Sequence, residues 1–247
     1  MNRFGAFLIH LGISLVIFAV LAYLVLYVWY PDFFFASDGG WQGMRIIVFV
    51  DLVLGPTLTL IVFNRKKPAR ELQRDLSIVA AIQLTCLAAG TYVVYESRPI
   101  ALVYVDGNFY GMTESAYQSL GVPVPDLSDI PGPWPKRVAV AMPEDYDEQS
   151  RVRTEALRRE LPLRALVDRY VPLTYDRLNV EDEAFTAEEL LESMKGPERL
   201  QRWLEARAEE PARFAFFEYG SRYGFAVLAM YRDSGEIIGL VTRPQDE

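Results

Sequence analysis

The chain has one histidine and one cysteine in 247 residues. His10 and Cys86 both lie in apolar runs, so residues 97–247 contain neither type. That stretch cannot build a Ser-His or Cys-His nucleophile pair, nor the common zinc sites. A single cysteine excludes an intramolecular disulfide. A Walker-type phosphate loop is missing, as is the alternating acid pattern with a central glycine of a calcium loop. Positive charge is the scarcer sign: 25 Lys and Arg against 33 Asp and Glu, a net of −8. Residues 97–247 carry 18 basic and 27 acidic groups, which argues against a nucleic-acid-binding surface. Glu144, Asp145, Asp147 and Glu148 read as a solvated helix start, where the macrodipole favours acids. No enzyme, cofactor or metal site is expected.

Apolar residues crowd into the first hundred positions. Gly5–Tyr30 is too long for a signal-peptide core and lacks a small-residue cleavage site, so it is expected to stay as a transmembrane helix. Met44–Phe63 and Leu76–Tyr95 are the second and third expected spans, the last with Gly90 suited to close helix packing. The loop Asn64–Asp75 holds five Lys or Arg, whereas Pro31–Gly43 holds none. The positive-inside rule then puts the N-terminus and the basic loop in the cytoplasm and the C-terminal domain outside, in the periplasm of a bacterium. Trp29, Tyr30, Trp41, Tyr92 and Tyr95 fall near the outer ends, as an aromatic belt does.

Met44–Phe63 is more than an anchor. Asp51 places an acid inside hydrocarbon, which costs about 2.5–3.5 kcal/mol on insertion scales. Gly55-Pro56 follows, and Pro56 has no N–H for the carbonyl of Leu52. Counting 1.5 Å per residue, Asp51 should lie about 18 Å from the inner surface. His10, Gln83, Thr57 and Thr59 should share a shallower layer at about 6–10 Å. No Lys, Arg or His is expected at the level of Asp51. Its partner is therefore expected to be a hydrogen-bonding group, either within the bundle or on another helix. The plainer alternative for the shallow layer is an internal polar layer that holds the three helices together.

Gly39-Gly40-Trp41, then Asp51-Leu52-Val53-Leu54-Gly55-Pro56, the basic loop to Asp75-Leu76 and Arg98-Pro99 together resemble the type IV pilin accessory family (TfpX/TfpZ-like, also called FimB-like). The resemblance covers about residues 1–105. It implies a multi-pass inner-membrane protein that assists the stability or assembly of a cognate major pilin, in the manner of a chaperone, with membrane lipid as its other neighbour. It implies contact between the spans and the pilin's transmembrane helix, and between the outer domain and the pilin head. Type IV pilins carry an acid near the mature N-terminus, which would lie near His10. His10, Trp41, Asp51, Gly55, Pro56 and Gln83 are the candidate partner-binding residues. The alternative is a membrane-anchored extracytoplasmic ligand-sensing or receptor domain; a membrane-embedded enzyme is a third reading. A pocket of convergent polar groups would favour the sensor and a broad apolar patch a protein partner.

The division expected is a three-helix membrane domain over residues 1–98 and a periplasmic α+β domain over 99–247. The outer domain should hold five or six antiparallel strands with three or four helices on one face. Asp106-Gly107 marks a hairpin between Ile100–Val105 and Asn108–Met112. Gly121–Lys136, with five prolines, is a surface loop. Arg137–Met142 alternates as a strand, and a helix follows Pro143 to about Leu161. Thr186 with Glu189 forms a capping box, Pro197–Glu210 is a further helix, and Ala212–Thr242 is a three-stranded meander.

Overall fold

In the computed structural model the chain is described over residues 3–64, 66–194 and 197–242. Arg65 of the basic loop and the last five residues of the expected outer domain lie outside the described residues. Two compact units are found. One holds residues 1–31 and 39–98; the other holds residues 32–38 together with 99–247.

The first unit contains three helices long and apolar enough to cross a membrane: Arg3–Trp29, Gly40–Val62 and Ala69–Glu96. The third begins seven residues before the expected Leu76. Its first turns carry Arg70, Glu71, Gln73 and Arg74, all good helix formers, so the helix continues past the point where hydrophobicity stops. Tyr30, expected in the aromatic belt, is buried instead. Its hydroxyl donates to the Val94 carbonyl at 2.7 Å, because a buried phenol needs a partner. Gly43 lies so close to Val94 that an added Cβ would meet its Cγ2 at 2.5 Å.

The second unit is α+β, but its sheet is mixed, whereas antiparallel strands were expected. Its seven strands among the described residues are β1 (Pro99–Val105), β2 (Asn108–Thr113), β3 (Lys136–Val140), β4 (Tyr170–Pro172), β5 (Phe214–Ser221), β6 (Gly224–Tyr231) and β7 (Ile237–Leu240). Their order is β4-β3-β1-β2-β5-β6-β7. The β1–β2 hairpin turns at Asp106 and Gly107, both at positive φ, as a two-residue turn matching strand twist requires. The meander β5–β6–β7 is antiparallel as expected. The parallel pairings are β1 with β3 and β2 with β5. Each joins strands distant in sequence, so neither leaves a turn signature. β1 is buried at all seven residues, as suits a strand covered on both faces.

Two apolar clusters of this unit lie among the described residues. One gathers Val103, Tyr117, Leu127, Val138, Ala156 and Leu166. The other packs Leu190, Leu200, Phe214 and Phe216 with Trp203, whose ring meets Phe214 edge-on at 5.1 Å. The capping box forms: the Thr186 hydroxyl accepts from Glu189 N–H at 3.2 Å, and Thr186 N–H donates to the Glu189 carboxylate at 2.8 Å. The helix after Pro143 runs Tyr146–Arg158, capped by Asp145.

Candidate functional site

The second long helix does not simply break at Pro56. It passes through a π-helical stretch, Phe49–Leu54, whose end is marked by Gly55 N–H bonding to the Val50 carbonyl. Such wide turns re-aim side chains and recur at functional sites. Pro56 then falls in the first turn of the α-helical segment Gly55–Val62, where a missing N–H is tolerated. Asp51 lies inside the π-helical stretch and is fully buried.

Two side chains from the other long helices meet it. Ser14 Oγ donates to Asp51 Oδ1 at 3.0 Å, and Gln83 Nε2 donates to the same oxygen at 2.8 Å. Gln83 Nε2 also lies 3.4 Å from Ser14 Oγ. Gly55 makes room for this: a Cβ there would lie 2.2 to 2.5 Å from the Gln83 amide. Asp51 Oδ2 is buried with no hydrogen-bond partner among the described residues. An unmade bond of this kind is costly away from water. One turn along the first helix from Ser14, His10 Nδ1 pairs with Thr59 Oγ1 at 2.5 Å. All five polar residues line one cleft of about 400 Å³, walled by Ile9, Ile13, Leu84 and other apolar side chains.

The expected layering is therefore rearranged. Gln83 belongs with Asp51 rather than with His10, because the third helix starts earlier and the rise count from Leu76 put Gln83 too shallow. Of the two threonines, Thr59 joins His10 and is buried, whereas Thr57 is exposed. Ser14, which sequence reasoning missed, is the third member of the Asp51 group. Its signal was a lone serine inside an apolar run, four residues after His10. Trp41 is half exposed and does not line this cleft.

The second unit carries its own buried acid. The segment Asp32–Asp38 packs on the sheet, with Phe33 edge-on to Tyr219 at 5.3 Å. Asp38 Oδ2 accepts from the Tyr219 hydroxyl at 2.6 Å and from Ser37 Oγ at 2.5 Å. Burial pushes its carboxyl up to about 6, while the two hydroxyls and the Arg222 charge pull the other way. Burial, and then the acid itself, hold the Tyr219 hydroxyl well above its usual range. Gly111 on β2 leaves the space: a Cβ would sit 2.3 Å from Tyr219 Oη and 2.7 Å from Asp38 Oδ1. A separate polar crevice of about 440 Å³ lies where the parallel strands β1 and β3 end. There Arg153 binds both oxygens of Asp106, and Tyr104 donates to Glu183. No cluster of metal-ligating side chains occurs among the described residues.

The family model for fimbrial assembly protein FimB matches residues 1–33. Three fimbrial assembly proteins of Dichelobacter nodosus align with 96 residues of the chain. The protein of serogroups C1 and C2 is 36% identical, over 39% of this chain and 73% of its own length. Those of serogroups I and E1 are 36% and 35% identical, and in each case the chain spans only 37% of the relative. No solved structure matches. The matched N-terminal residues include His10 and Ser14, and the likeness extends over most of the serogroup C1 and C2 protein: the chain belongs to the FimB family of fimbrial assembly proteins.

Proposed function

We propose that the protein is an inner-membrane accessory factor for a type IV pilin, a non-enzymatic chaperone that acts before the pilin enters the pilus. The three long helices cross the membrane with the N-terminus in the cytoplasm, and the α+β unit lies in the periplasm. The pilin's transmembrane helix contacts the cleft of His10, Asp51 and Gln83, and its head contacts the outer unit. One observation carries this reading. A member of a fimbrial assembly family keeps a buried, half-bonded acid in a cleft on its apolar helices, and a simple tether needs no such group. His10 offers the pilin's N-terminal acid a donor. Thr59 occupies Nδ1, so Nε2 is the ring nitrogen left to face a partner, and it has none among the described residues.

The sensor reading draws on the crevice at Asp106 and Glu183. Two of its charged groups, Arg153 and Asp106, are bonded to each other, and Glu183 accepts from Tyr104, which leaves fewer of them to converge on a ligand. The test is deletion with complementation in the host. Surface pili or pilin level should fall and be restored by the full chain, and a periplasm-only reporter fused after Glu247 should be active. Normal piliation with every pilin the host makes would sink the reading, as would activity only from a cytoplasmic reporter.

A further inference from the structure

The cleft offers two polar groups whose bonding is incomplete, and their spacing specifies a partner. Asp51 is fully buried. Both its bonds, from Ser14 and from Gln83, end on Oδ1; Oδ2 has none among the described residues. Among the described residues, His10 is bonded only through Nδ1, to Thr59. Ser14, which holds Asp51, follows His10 by four residues, so the first-helix residues at the two groups are offset by about one helical turn, or about 6 Å, along that helix. The walls around them are aliphatic: Ile9, Ile13, Ile17, Leu84 and Leu87. Water in hydrocarbon is scarce, so a polar atom there is satisfied by another side chain or by a helix that enters from lipid.

The geometry points to a docking site for an apolar transmembrane helix that carries two polar side chains three or four residues apart on one face. One of them pairs with Asp51 Oδ2 and the other with His10 Nε2. Side chains three or four apart are neighbours on a helix surface, whereas those two apart point to opposite sides. A helix with a single polar residue, or with a pair in the wrong register, satisfies one group at most. The inference rests on the reading that a partner's span enters this cleft, and it adds the sequence rule by which that span is chosen.

The test uses the full chain in vesicles of phosphatidylcholine and phosphatidylglycerol, with labelled leucine–alanine transmembrane peptides as the probe. One peptide carries two serines four apart, a second carries two serines two apart, and a third carries none. A serine hydroxyl both donates and accepts, so it serves either group. Intramembrane hydrogen bonds of ordinary strength give about threefold each, so the four-apart peptide should bind about tenfold more tightly than the serine-free one. The two-apart peptide should gain about threefold at most. Asp51→Leu and His10→Phe should each cut the tenfold preference to about threefold, and Asp51→Asn should retain it. Equal binding of all three peptides would overturn the inference, as would a preference that survives Asp51→Leu. Failure here alongside lost piliation on deletion would remove the register rule and leave the pilin role. The peptide preference alongside normal piliation would do the reverse.

Discussion

Asp38 gives the sharpest quantitative expectation. Its carboxyl is pushed from an ordinary 3.8 up to about 6 by burial, and it is almost fully inaccessible. A raised acid means that the folded state binds the proton more tightly than the unfolded one. The stabilisation is then fully present below about pH 3.8 and is lost as pH rises through about 6. At 1.36 kcal/mol per unit, the group's contribution changes by about 3 kcal/mol across that window. For a unit of this size that is roughly 6–12 °C in Tm. Asp38→Asn keeps a carbonyl oxygen for the Tyr219 and Ser37 hydroxyls and cannot ionise. Thermal unfolding of the full chain in detergent, followed by near-ultraviolet circular dichroism from pH 4 to 8, should show wild type losing stability relative to Asp38→Asn as pH rises. The difference should level off above about pH 7. Carboxylates held low, such as Asp126 and Asp176, act with the opposite sign but cancel in the comparison. Parallel curves for the two proteins would refute the reasoning, because Asp38 would then titrate alike folded and unfolded.

The membrane cleft supplies the other expectations. Asp51→Asn should leave piliation near normal, since an amide still accepts from Ser14 and Gln83; Asp51→Leu should impair it while protein level holds or rises, and equal damage from both would show that charge itself is needed. His10→Ala should weaken pilin capture in crosslinked membranes with the protein still accumulating, whereas loss of the protein itself would mark His10–Thr59 as structural. Gly55→Ala should force the Gln83 amide from its place and cost about 0.6 kcal/mol, the worth of one intramembrane hydrogen bond. Melting curves should show no further loss when Gln83→Ala is added to Gly55→Ala; additive losses would mean that the glycine serves another contact.

Much of the architecture follows from local signals that the sequence determined alone. Apolar runs longer than a bilayer set three helices, Asp106-Gly107 set the first hairpin, Thr186 with Glu189 set a helix start, and the run at Asp51-Gly55-Pro56 marked the helix that matters. These depend on neighbours within a few residues, which is why they are legible in one dimension. Tertiary structure decided the rest. The parallel pairings β1–β3 and β2–β5 join strands with long excursions between them, and no turn residue announces such a pairing. Rise counting placed Asp51 and Gln83 in different layers, because hydrophobicity marks where lipid begins and not where a helix begins. Only the packing of three helices brought Ser14 and Gln83 to one oxygen of Asp51 and left the other unpaired among the described residues. Asp38 is one more small polar residue in a connecting segment until the sheet folds Tyr219 against it. Burial and partner choice belong to the assembled fold, and so do the proton affinities that follow from them.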